Sequence, residues 1–222
     1  MTNTVVRSVV RGRKLLESLN LPYCDDVPLK PSSSRFSDGA SWGVEVPAIN
    51  SLAQLEATIK ALKVSGVFAS RFAETHGSHL LSNSEISEML SACRESAYGM
   101  LFGIGPRPEY DVKASFYRTP FGLEQCRQLN NHDAFAQAID EALRLVDLGC
   151  TGLTIYDVGV LKTLGELRSA GHIPDNIVFK TSSHCMATNA PIARLFSDLG
   201  ADCITTAHDL SLSVLSEMRR LC

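Results

Sequence analysis

The sequence predicts an α/β protein: a TIM-type (β/α) barrel of parallel strands with six clear βα units, incompletely or atypically closed. Three observations predict it. From Trp42 onward, short runs rich in Val, Ile, Phe and Thr alternate with amphipathic segments of helical period. Several of these runs lack polar alternation, as strands buried on both faces do. The 222 residues fall short of the ~250 that a full eight-unit barrel takes.

The elements follow in order. Residues 1–41 read as an extension before a barrel domain over residues 42–222. Val5 to Leu19 suits a helix, or a strand followed by a helix. Cys24 to Gly39 is turn-rich, with Pro28, Pro31 and three consecutive serines. The strand candidates are Gly43–Ile49, Gly66–Arg71, Gly99–Ile104, Gly152–Tyr156, Ile177–Thr181 and Cys203–Ala207. Between them lie helical stripes. Leu52, Leu55, Ile59 and Leu62 share one face behind Ser51 and Gln54, spaced as a capping box. Ile86, Met89, Leu90 and Cys93 follow Ser82 and Glu85 in the same spacing. Phe135, Ala138, Ile139, Ala142 and Val146 are closed by Gly149. Leu161, Leu164 and Leu167 follow Asp157. Ile192, Leu195, Phe196 and Leu199 follow the cap Asn189 and first-turn Pro191, and Gly200 ends them. Leu212, Leu215 and Met218 follow Ser211. Residues 105–126 break the rhythm, and long aperiodic loops in compact domains often cover a site.

Composition narrows the function classes. With 45% hydrophobic and 20% charged residues, the chain is globular. Lys and Arg total 21 against 24 Asp and Glu, so nucleic acid is not an expected partner. The seven cysteines are scattered and never spaced as C-x-x-C, which suits reduced thiols used mostly as packing. No leader and no long apolar stretch is visible, so a cytoplasmic location without membrane contact is expected.

In parallel α/β folds, ligands bind at the carboxyl ends of the strands. There the sequence places Glu45, Arg71, Asp157, Ser182, His184, His208 and Asp209, with Glu74, His76, His79 and Tyr156 nearby. His184, His208 and Asp209 could hold a divalent cation, or act with Asp157 as an acid/base set. Asp157 and Asp209 each also precede a helix and could simply cap it. Lys180 interrupts the apolar run Ile-Val-Phe-Lys. Facing a barrel interior it could form a Schiff base with a carbonyl substrate; facing outward it would be inert. The run Phe179-Lys180-Thr181-Ser182 also resembles the lysine strand of deoxyribose-phosphate aldolase. Arg118 in the long loop is a candidate substrate contact. No G-x-S-x-G elbow is present, and Gly103-x-Gly105 is too short for a dinucleotide fingerprint, so no nucleotide cofactor is expected.

Gly149-Cys150-Thr151-Gly152-Leu153-Thr154-Ile155-Tyr156-Asp157-Val158-Gly159-Val160-Leu161 resembles a signature of the collagenase-like peptidases, peptidase family U-32. Ser182-Ser183-His184 stands where that family has Ser-Thr-Gln. Thr188-Asn189 and Leu199-Gly200-Ala201 match its next helix. His208-Asp209-Leu210-Ser211-Leu212 stands where it has Arg-Glu-Leu-Ser-Leu. More loosely, Glu45 to Leu55 resembles its opening strand and helix. The resemblance implies a TIM-type barrel and a hydrolase acting on a peptide or small molecule at the rim, with metal assistance as an option. Relatives that carry iron–sulfur clusters place their cysteines after the Arg-Glu-Leu-Ser-Leu block, so no cluster is expected here. Two alternatives stand beside the hydrolase: a Schiff-base lyase using Lys180, and a non-catalytic barrel serving as a binding or scaffold subunit. With six strands and no further one after Ala207, a homodimer covering the open sheet is expected.

Overall fold

The computed structural model describes residues 11–25, 29, 31–36, 39–106, 119 and 128–222. The first residues of the predicted Val5–Leu19 element, 5–10, and most of the 105–126 loop, Arg118 included, lie outside them. Residues 11–18 form a helix, α1. There follow β1 (Glu45–Pro47), α2 (Leu52–Ser65), β2 (Arg71–Ala73), α3 (Asn83–Glu95), β3 (Gly99–Gly103), α4 (His132–Asp147), β4 (Gly152–Ile155), α5 (Val158–Ser169), β5 (Val178–Thr181), α6 (Ala190–Asp198), β6 (Cys203–Ile204) and α7 (Leu212–Leu221). Single turns of 3-10 helix cover Ser78–Leu80 and Ser183–Cys185.

The strands pair strictly in sequence order, β1 to β6, and every pairing is parallel. Helices connect them, so the fold is a partial (β/α) barrel of six strands among the described residues. Its curvature follows from one contact. Strands lie ~4.8 Å apart, so a flat sheet would separate β1 from β5 by roughly 19 Å. Yet Glu45 of β1 forms an ion pair with Lys180 of β5. The sheet therefore curls, and its concave face brings distant strands together.

Alternation sorts the side chains between the two faces. Phe72, Phe102, Leu153, Ile155 and Phe179 are fully buried in the core between sheet and helices. The guanidinium of Arg168, on α5, lies 4.3 Å from the centre of the Phe179 ring. Phe179 thus faces the helices, and its neighbour Lys180 must face the concave side.

The predicted caps are present. Ser82 and Glu85 form a complete capping box on α3. Asn189 caps α6 with Pro191 in its first turn, and Ser211 caps α7. At α2 only half the box forms: Ser51 accepts from Gln54, whose own side chain takes the Asn50 N–H instead. Gly149 and Gly200 close α4 and α6 at φ +85° and +101°, where side chains are strained. The strands are shorter than predicted. β2 begins at Arg71, where the predicted strand ended, because Val67 and Phe68 of the preceding run are 59% and 52% exposed. β6 stops at Ile204, and Thr206 makes only an isolated bridge with Ala187. Among the described residues, no helix is long and apolar enough to cross a membrane.

Three cysteines are packing residues, as expected for buried thiols. Burial pushes Cys93 up to about 11, Cys150 to about 11 and Cys185 to about 12, from an ordinary 9.0. Two outcomes are expected. At pH 8, iodoacetamide modifies exposed Cys222 well before these three, which react only in denaturant. Because their folded values are raised, the unfolded chain loses these thiol protons first, so stability holds below pH 9.0 and falls as pH rises toward 11. Urea midpoints at pH 8 and 10 check this; equal midpoints would contradict it.

Candidate functional site

The concave face carries one polar cluster assembled from four strands. Glu45 opens β1, Arg71 opens β2, Cys203 opens β6, and Lys180 is the third residue of β5. Parallel register sets Glu45 beside Arg71 and Lys180 beside Cys203. The curl then closes the pairs into a network. Arg71 Nε donates to Glu45 Oε2 at 2.7 Å, and Lys180 Nζ donates to Glu45 Oε1. Arg71 Nη2 lies 3.3 Å from Cys203 Sγ. One carboxylate therefore serves two cations. The Lys180 side chain is only 12% exposed, against 21% for Glu45 and 31% for Arg71. Burial works against the Arg71 charge, but Cys203 and Glu45 outweigh it and hold the guanidinium above its ordinary value.

A groove of about 490 Å³ opens on this cluster at the amino ends of the strands. Phe36, Trp42, Val44, Glu45, Arg71 and Cys203 are among its walls. Glu45 and Arg71 were expected at the carboxyl-end rim. They stand at the opposite end, because both open their strands rather than close them.

The carboxyl-end rim is arranged differently from the predicted acid/base or metal set. Asp157 is taken up by structure: one oxygen accepts from Val160 N at 2.9 Å and caps α5, and the other accepts from Leu129 N at 2.8 Å. Ser182 is buried, and its hydroxyl accepts from His184 N at 3.3 Å, capping the turn at Ser183–Cys185. The His184 ring packs edge-on to Tyr156 with centroids 6.2 Å apart. His208 and Asp209 are exposed in the turn after β6. His184, His208 and Asp209 do not come together as ligands: among the described residues no three His, Cys, Asp or Glu side chains could hold a metal ion. The physical reason is the short β6, which releases the chain into a turn before His208.

Two groups have surroundings that the sequence does not show. Glu74, 1% exposed after β2, accepts from the N–H groups of His76, Gly77 (2.7 Å) and Gly103 (3.1 Å). A Cβ on Gly103 would stand 2.6 Å from the Tyr156 hydroxyl and 3.2 Å from Glu74 Oε2. The glycine at the end of β3 is thus what admits both, and Gly103-x-Gly105 was the signal for it. Cys203 is the other; the sequence reading treats it as packing, and only the register with Lys180 reveals its company.

No family model matches the chain, and no curated protein matches it. Solved structures overlap with it loosely. A putative dihydrodipicolinate synthase family protein from Coccidioides immitis is 11% identical, with a TM-score of 0.46 over 81% of this chain and 56% of that one. A D-psicose 3-epimerase, crystallised in the presence of D-fructose, is 10% identical, with a TM-score of 0.39 over 74% and 62%. A dihydrodipicolinate synthase from Bacillus anthracis is 9% identical, with a TM-score of 0.31 over 81% and 73%. The chain spans little more than half the length of the first of these. Overlaps this loose bring nothing to the chemistry of this site, which rests on its own geometry.

Proposed function

We propose that the chain is a lyase of the aldolase type that forms a Schiff base between Lys180 and an aldehyde or ketone. The observation that carries this reading is the placement of Lys180: on the concave face, largely removed from water, with its head on the Glu45 carboxylate and a groove leading to the cluster. The hydrolase reading depends on rim residues instead, and these stand apart or are occupied by capping.

The cluster contains the groups such chemistry needs. Glu45 accepts a proton from the Lys180 ammonium, freeing the amine. The amine nitrogen bonds to the carbonyl carbon, and the resulting carbinolamine loses water to leave an iminium. Glu45 returns its proton to that departing water. In a β-hydroxy carbonyl substrate the iminium then draws the electron pair of the bond between the α and β carbons as that bond breaks. The β-hydroxyl gives its proton to Glu45, leaving an enamine and a released carbonyl product. Protonation of the enamine and addition of water then return the free lysine. Arg71 holds Glu45 in place through its other oxygen, so the carboxylate stays oriented as the proton moves.

The test is borohydride reduction in the presence of a panel of aldehydes and ketones, read by intact mass. One equivalent of adduct beyond the background on surface lysines is expected in the native protein, and that background alone in Lys180→Arg, whose guanidinium is not a nucleophile. Lack of any adduct across the panel, or equal adduct in Lys180→Arg, would overturn the reading. A folded, inert protein would then favour the scaffold alternative.

A further inference from the structure

We infer that the groove at the amino ends of the strands is a substrate subsite for an aromatic carbonyl compound that carries a carboxylate. The inference rests on the Schiff-base reading for the carbonyl end of that compound; the rest comes from the groove itself.

Its volume of about 490 Å³ falls in the range of small-molecule sites. One wall is aromatic. Trp42 and Phe36 are 63% and 57% exposed, although such side chains are normally covered. Phe68 braces Trp42 edge-on, with ring centroids 5.7 Å apart and planes at 89°. A braced, exposed indole beside a second exposed ring offers a stacking surface for a flat apolar body.

The cluster on which the groove opens, with Glu45 and Arg71 in the groove wall and Lys180 behind Glu45, carries positive charge in excess. Arg71 and Lys180 share the single carboxylate of Glu45. Asp202, also in the groove wall, adds no counter-charge: its carboxylate is held by Arg168 at 2.7 Å and by the Phe179 N–H at 2.8 Å. One cation is therefore left over, and the more exposed of the two is Arg71, whose planar fork suits a carboxylate. Both cationic heads rest on one carboxylate, so one small molecule can present its anion to Arg71 and its carbonyl toward Lys180. Aromatic wall, surplus guanidinium and amine together specify the class.

The chain has one tryptophan, so the fluorescence of Trp42 reports the groove directly. The probe 4-(hydroxymethyl)benzoate has the ring and the carboxylate but cannot form a Schiff base. Saturable quenching is expected in the native protein. Binding is expected to weaken by about tenfold or more in Arg71→Gln, as for loss of a charge-assisted hydrogen bond. Benzyl alcohol, which lacks the carboxylate, tests the same charge on the unaltered protein and should bind at least ~10-fold more weakly. No saturable quenching, or equal quenching by benzyl alcohol, would overturn the inference. The two readings fail separately. Quenching by 4-(hydroxymethyl)benzoate with no borohydride adduct from 4-carboxybenzaldehyde upholds the groove and removes the Schiff base. An adduct on Lys180 from acetaldehyde with no quenching does the reverse, and overturns the subsite.

Discussion

Glu45→Gln is expected to destabilise the protein by about 2–3 kcal/mol, more than Lys180→Met does. The asymmetry follows from the network. Glu45 is one anion between two cations. Removing its charge leaves Arg71 and Lys180 facing each other across the concave face without compensation. Removing Lys180 leaves Arg71 still paired to Glu45 at 2.7 Å, and a methionine fills much of the same space. Fully buried pairs cost about 3–5 kcal/mol to break from one side. The partial exposure of this cluster, 12–31% by side chain, lowers that figure. Urea unfolding of both variants against the native protein checks the order. Equal stabilities, or a larger loss for Lys180→Met, would mean that the carboxylate does not hold the curled sheet together.

Gly165→Ala is expected to destabilise by about 2 kcal/mol, although helix propensity alone predicts a gain of about 1 kcal/mol for replacing a helical glycine. The packing of α5 against the end of α6 decides the sign. A Cβ on Gly165 would stand 2.3 Å from the carbonyl oxygen of Leu199 and 3.3 Å from its carbon. Those are backbone atoms, which cannot rotate away as a side chain would. The two helices must separate, and the loss of packing around fully buried Leu161 and Leu164 outweighs the propensity gain. A raised thermal midpoint for Gly165→Ala would show that the close approach is not maintained.

Much of the fold was legible because it rests on local chemistry. Apolar runs marked the strands, and the Ser82–Glu85, Asn189–Pro191 and Ser211 signals placed helix starts where the structure has them. β2 was misplaced because the pre-strand residues Val67 and Phe68 are as apolar as a strand while lying largely in water. That shift put Arg71 at the wrong end of the sheet. The site was less legible. Lys180 was singled out from its apolar run, yet its partner Glu45 lies 135 residues away, and only the curl of the sheet joins them. Glu74 is held by backbone N–H groups, which leave no side-chain pattern to read. Asp157, a candidate both for catalysis and for capping, proves to cap α5.

Lysine reactivity in the native protein tests the central claim most directly. The chain has seven lysines, and those on the surface react indiscriminately with carbonyl compounds. After brief reduction with borohydride in limiting 4-carboxybenzaldehyde, a proteolytic digest analysed by tandem mass spectrometry gives the distribution of adduct among them. If Lys180 is a Schiff-base lysine, most of the adduct sits on it despite its burial. Adduct spread over exposed lysines such as Lys162, with Lys180 unmodified, would contradict the account.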